Sequence, residues 1–254
     1  MEPSKFTNVA HRDHLFCSPL RAAKVDALID LLELPVGAGV LDVGCGKGEV
    51  LLRVAARYGV TGTGLDLSEA WLTEARARAE ARARAEARVL PQPPTFLLQD
   101  ANGYTPPEPA DAAICIGSSH AYGSYRDTLR ALRQVIKPGG LLLIGEGYWK
   151  RDPAPEYLAL LEASADELTD HAGNVAVAVG EGLTPLFASV SSDDDWDYYE
   201  GLYALSVERY AARHPGDPDV PAMLGRIRPW RDGYLRWGRD TLGFALYLFQ
   251  KPLV

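Results

Sequence analysis

Apolar residues recur at helical spacing across 18–34 (Leu20, Val25, Leu28, Ile29, Leu32), and the PVGAG stretch at 35–39 stops that helix. A short apolar run, Val40-Leu41-Asp42-Val43, then gives way to glycines at 44, 46 and 48 and to helical spacing at Val50, Leu51, Leu52 and Val54. This is the pattern of a buried strand, a tight turn and a helix start. The alternation repeats as strand 60–67, helix 68–88, strand 95–99, strand 112–117, helix 125–136 and strand 141–146. Strands separated by helices need crossover connections, which lay them parallel in one sheet covered on both faces, an α/β architecture. Beyond Glu146 the pattern loosens. A helix is expected over 156–168, little regular pattern in NVAVAVGEGLTP, and a sixth strand over 184–191. Amphipathic helices follow over 196–213 and 220–239, parted by HPGDPD, and an apolar aromatic strand closes the chain over 241–250. A sheet that needs its last strand is one domain. It carries an N-terminal helical cap (1–35), a core (36–146) and insertions (147–183 and 192–240) that form a lid.

Composition narrows the setting. With 254 residues, 47% of them hydrophobic, the chain can bury a full core. A net charge of -8 repels polyanions, so nucleic acid is not an expected partner. Cys17, Cys45 and Cys115 are widely spaced and unpaired in pattern, implying neither disulfides nor a metal site. No apolar run is long enough for a signal peptide or a membrane span, so a cytoplasmic protein is expected, a monomer or homodimer. The tract ARARAEARARAEAR, with five arginines against two glutamates, reads as the solvated outer face of the second helix.

Candidate chemistry centres on LDVGCGKGE (41–49) together with Asp66, which ends the second strand 22 positions after Gly44. Glycines let the backbone approach a ligand closely at the carboxyl edge of the sheet, and an acid at the second strand end can accept both hydroxyls of a ribose. That pair suits a nicotinamide dinucleotide and S-adenosylmethionine (SAM) alike. A dinucleotide turn, however, wants a third glycine where Glu49 stands. A carboxylate there opposes a pyrophosphate, whereas the sulfonium and ammonium of SAM tolerate an acidic rim. Asp42, inside the first strand, is costly unless it meets a cation or backbone donors. Asp100 ends the third strand and can accept from an adenine amino group while Ala101 lies against the ring; a loop-capping role for Asp100 is the competing reading.

These residues resemble a known family. LDVGCGKGE, GLDLS, QDA, DAAICIGSS and IKPGGLLLIGE look like successive motifs of class I SAM-dependent methyltransferases, and GEGYW and DDDWDYYEG look like a bacterial subgroup acting on small molecules. The resemblance implies a Rossmann-like sheet of seven mostly parallel strands with an antiparallel last strand and helical insertions. It implies SAM held by Gly44, Gly46, Asp66, Asp100 and Ile116, with Asp42, Cys45, Leu67 and Ala101 beside them, and S-adenosylhomocysteine as product. Methyl transfer is an in-line displacement in which alignment can supply about 7 to 11 kcal/mol, so a base helps without being essential. Glu146, at the end of the fifth strand, and His120, after the fourth, are the candidate bases. Tyr148, Trp149, Trp196 and Tyr199 are candidate substrate contacts, by cation-π attraction or as an aromatic wall; helix capping and packing are the bland alternatives. A nicotinamide-dependent oxidoreductase and a non-catalytic SAM-binding sensor stand as rival functions.

Overall fold

The computed structural model describes residues 3–85 and 93–253, which divide into two compact units. One, the sheet unit, comprises Arg21–Glu146, Ala172–Val190 and Ala245–Val254; the other, the helical unit, comprises Met1–Leu20, Gly147–His171 and Ser191–Phe244.

The sheet unit is built on β1 (Gly39–Val43), β2 (Thr61–Asp66), β3 (Thr95–Leu98), β4 (Ala110–Ile116), β5 (Ile136–Trp149, to Glu146 within this unit), β6 (Thr184–Val190) and β7 (Leu242–Gln250, from Ala245 within this unit). Seven strands lie in the order β3-β2-β1-β4-β5-β7-β6. Strands β1 to β5 pair in parallel and β6 with β7 antiparallel, the sheet foreseen from the alternation and the resemblance. The connecting helices are α2 (Ala22–Ile29), α3 (Glu49–Tyr58), α4 (Glu69–Ala85), α5 (Tyr125–Val135) and α7 (His171–Gly180, from Ala172 within this unit). They pack against central strands that are largely apolar, the buried Asp42 of β1 being an exception, and Leu51, Leu52, Leu65, Leu72, Ile114, Leu129, Leu132 and Leu142 are sealed from water.

Several expected boundaries move. The helix foreseen over 18–34 is shortened to α2, because Pro19 precedes it and Glu33 takes a positive φ of 45° before Pro35. Positions 86–88 of the second helix lie outside the described residues. The stretch NVAVAVG, too uniformly small and apolar to show a helical stripe, is the body of α7, which buries Asn174 and Ala178. The strand expected over 141–146 runs from 136 to 149, with its register against β4 shifting between Ala110 and Ala112 where Pro138 and two glycines sit opposite. Glu146 therefore lies within β5 rather than at its end.

The helical unit contains α1 (Pro3–Ala10), α6 (Pro155–Leu161), α8 (Asp193–Arg213) and α9 (Val220–Gly233). Its core joins Phe6 and Ala10 of α1 to Ala204 and Val207 of α8 and to Met223 and Ile227 of α9. The helix expected over 156–168 breaks at Glu162, which takes φ 54°. Helix α8 begins three residues earlier than its apolar spacing suggested, because Ser192 and Asp195 form a reciprocal cap. Helix α9 ends in a wider turn, Tyr234–Gly238, that replaces the last part of the helix expected to 239.

Glu200 of α8 is buried, accepts a hydrogen bond from the Trp230 indole N–H at 2.8 Å, and is pushed by burial from the ordinary 4.5 to about 7. The folded chain keeps this proton to higher pH than the unfolded chain. The stabilisation is complete below about 4.5 and is lost as pH climbs through about 7. In urea titrations across that interval, wild type is expected to lose stability relative to Glu200→Gln as pH rises; curves that stay parallel would refute this.

Candidate functional site

The carboxyl ends of β1, β2, β3 and β4 bring the predicted residues of the sheet unit together. After Val43 the backbone turns through Gly44 at φ 66°, a left-handed conformation that disfavours side chains. A Cβ added there would sit 2.2 Å from the Ser118 hydroxyl, so the turn and the loop after β4 approach more closely than any other residue would permit. The Gly46 N–H donates to one oxygen of Asp66 and the Ser68 N–H to the other, each at 2.8 Å. One carboxylate thus ties the glycine turn to the end of β2, and further lone pairs on both oxygens can accept from a ligand's hydroxyls.

The electrostatics of this edge are acidic. Asp42 is buried, and burial together with the neighbouring Asp66 holds its carboxyl well above the usual range. Burial, Asp42 and Asp66 push the Cys45 thiol up; burial, Asp42 and Glu146 do the same to Cys115. Tyr122 is pushed up to about 12 by burial, with Cys115 and Asp100 adding to it. Asp42 thus feels Asp66 across neighbouring strands, Cys115 feels both Asp42 and Glu146, and Tyr122 feels Asp100. Burial and the neighbouring Asp66 favour the neutral form of Asp42, and a cation brought to this edge would favour its charged form instead.

The remaining cofactor candidates frame the same edge. Asp100 caps a short turn (Ala101–Gly103), accepting from the Asn102 N–H at 2.9 Å, so the capping geometry weighed against a ligand role is present. Ala101 is buried, Ile116 is half-buried, and Leu67 offers an exposed apolar side chain directly after Asp66. Of the two candidate bases, Glu146 is buried in β5 whereas His120 is exposed on a short turn (Ser119–Tyr122).

Glu49 does not form an acidic rim, contrary to the expectation that set it against a pyrophosphate. It is 5% exposed and held by Arg53 at 2.7 Å, Arg78 at 3.1 Å and Arg82 at 2.7 Å. With three guanidiniums around it, its field is cancelled locally, and it carries no argument between cofactors. The arginine tract is corrected by the same contacts. Arg84 is solvated, but Arg78 and Arg82 turn inward from α4 to clamp α3. A long side chain can reach across a helix pair in a way that residue spacing does not reveal.

The four candidate substrate residues lie in the helical unit. Tyr148 and Trp149 are buried; the Tyr148 ring lies 5.3 Å from that of His171, and the Trp149 indole donates to the Ala165 carbonyl at 2.8 Å. Trp196 stacks on Tyr234 and meets Tyr199 edge-on, and its indole nitrogen is buried with no hydrogen-bond partner among the described residues. Tyr199 stacks on Tyr203 and donates weakly to the Cys17 carbonyl at 3.5 Å. The reading of the residues missed Ser118, Ser68 and Tyr122 at the sheet edge. Serines in a loop carry no periodic signal.

Residues 40–140 match the model of a methyltransferase domain. A methyltransferase from Geobacter sulfurreducens, solved with S-adenosylhomocysteine, superposes with a TM-score of 0.88 at 27% identity, covering 96% of this chain and 97% of that one. The Escherichia coli protein YjhP is 29% identical over 97% of this chain and 98% of its own length. The ubiquinone biosynthesis O-methyltransferase of Pseudomonas entomophila is 30% identical over 64% of this chain and 68% of its own.

Proposed function

This chain belongs to the class I SAM-dependent methyltransferases, and from that premise we propose that it methylates a small neutral or cationic molecule whose proton passes to Glu146. The family sets aside the oxidoreductase and the non-catalytic sensor. SAM supplies a methyl group on a sulfonium, and the electron pair of the breaking carbon–sulfur bond leaves with sulfur. The residues present fit it: Asp66 would accept from the ribose, Asp42 would face cationic charge, Asp100 would meet the adenine amino group, and Ala101, Leu67 and Ile116 would enclose the ring. Gly44 and Gly46 let the backbone come close, with Cys45 between them.

The observation that carries this reading is the Asp66 carboxylate, which accepts from the Gly46 and Ser68 N–H groups, ties the glycine turn to the end of β2 and keeps lone pairs for the hydroxyls of a ribose. A hydroxyl or ammonium acceptor would find a proton acceptor in Glu146. Acceptor recognition we assign to the helical unit, where the buried indole N–H of Trp196 suits a polar ligand and Tyr148, Trp149 and Tyr199 supply aromatic surface. Among the described residues no helix is long and apolar enough to cross a membrane, and we infer a cytoplasmic monomer or homodimer.

Incubation with methyl-labelled SAM and fractionated cell extract is expected to place label on a small metabolite. With that fraction as acceptor, Glu146→Gln should slow transfer by about a hundredfold while SAM affinity in calorimetry holds within about threefold. Loss of affinity with transfer retained would make Glu146 a cofactor contact instead.

A further inference from the structure

Three linked polar side chains of the sheet unit, one of them electrostatically coupled to Glu146, have no part in binding SAM as described above. Tyr247 lies on β7, the strand next to β5 in the sheet, and is wholly buried. Asn174 of α7 is also buried; its side-chain amide donates to the Tyr247 oxygen at 3.2 Å. The Tyr125 hydroxyl, in the first turn of α5, donates to the Asn174 backbone carbonyl at 3.2 Å. Burial pushes the Tyr125 phenol up, and Tyr247 and Glu146 both push it further, so Tyr125 lies within electrostatic reach of each.

A buried amide and two phenols in an otherwise apolar interior are costly unless every dipole is satisfied and used. Asn174 occupies a lone pair of the Tyr247 oxygen, which directs the phenol's own proton away from Asn174. Its carbonyl takes the Tyr125 proton, which fixes that ring. Three elements outside β5 therefore meet in one hydrogen-bonded chain, and its Tyr247 lies on the strand that pairs along β5, where the Lys251 N–H donates to the Gly140 carbonyl and the Lys150 N–H to the Thr241 carbonyl.

We propose that Tyr125, Asn174 and Tyr247 are positioning residues, a buried polar bracket that orients the Glu146 carboxylate as proton acceptor. This rests on the reading of Glu146 given above. As the methyl carbon bonds to the acceptor atom, the carbon–sulfur pair returns to sulfur and the acceptor's proton moves to Glu146, which releases it to water. A carboxylate that accepts from the Tyr247 hydroxyl stays ionised to lower pH than one left among apolar side chains, and Tyr125 acts on it through Asn174.

The test is carbon NMR of glutamate carboxyls in the protein saturated with S-adenosylhomocysteine, the Glu146 resonance being the one absent from Glu146→Gln. Tyr247→Phe, which removes one oxygen from the bracket, is expected to move the Glu146 titration upward by about one pH unit, and the acidic limb of transfer to the labelled extract fraction should move with it. Tyr125→Phe, at a half-buried position with little risk to folding, should shift both in the same direction by less. If Glu146→Gln abolishes transfer but neither tyrosine variant moves the carboxyl titration or the acidic limb, the bracket is overturned while Glu146 stands. If Glu146→Gln transfers methyl at the wild-type rate, the assignment of Glu146 fails, and the bracket as a device for proton transfer fails with it.

Discussion

Replacement of Glu49 by leucine is expected to cost about 3 to 5 kcal/mol of stability, the largest loss from any single change discussed for this chain. The side chain is 5% exposed and accepts from three guanidiniums, on Arg53 of its own helix and on Arg78 and Arg82 of α4. Removing it leaves the positive charges crowded and only partly hydrated, since those arginine side chains are 22%, 24% and 28% exposed. Arg53 retains Asp26 and Arg78 retains Glu74, which limits the loss. Leucine fills most of the volume, so the measurement reports charge rather than a cavity. A urea midpoint equal to that of wild type would mean that the three arginines find water as easily as they find Glu49. The triple change of Arg53, Arg78 and Arg82 to methionine alongside Glu49→Leu should recover much of the loss, because an ion cluster replaced whole by apolar groups leaves no charge stranded.

The second large effect concerns the cofactor. Asp66→Ala should weaken SAM binding by about a hundredfold or more, because hydrogen bonds from ribose hydroxyls to a carboxylate contribute roughly 1.5 to 3 kcal/mol each. The change also takes the acceptor from the Gly46 and Ser68 N–H groups, loosening the glycine turn against β2. Part of the loss is offset within the site. Asp66 helps to hold the Asp42 carboxyl above its usual range, so without Asp66 more of Asp42 is ionised and its attraction for the cationic end of SAM grows. Asp66→Asn keeps one acceptor oxygen and is expected to fall between alanine and wild type. Calorimetric affinities within about threefold of wild type for both variants would detach Asp66 from the ribose.

The strand, turn and helix at 40–54 were legible because a buried parallel strand is mostly apolar, as β1 is apart from Asp42, and glycines punctuate the turn. The places of Asp66 at the end of β2, Asp42 inside β1 and Asp100 just beyond β3 followed from the same alternation. The residues read wrongly share a different character. Glu49 was taken for a rim charge because its position in the turn says where its backbone lies and nothing of where its carboxylate points. Its partners are 29 and 33 residues away on another helix. NVAVAVG gave no helical stripe because every position is small or apolar, and Asn174 within it gave no sign of a buried amide serving Tyr247.

By itself the sequence determined the order of strands and helices, the glycine turn and the acids at the strand ends, since local periodicity and turn chemistry act between neighbours in the chain. Only the tertiary structure decided which charges are neutralised and which converge. Glu49 met its arginines, Asp42 came under the influence of Asp66, and Tyr125, Asn174 and Tyr247 joined in one hydrogen-bonded chain from three separate elements. Coulombic attraction and desolvation depend on distance in space, and the folded chain alone sets those distances.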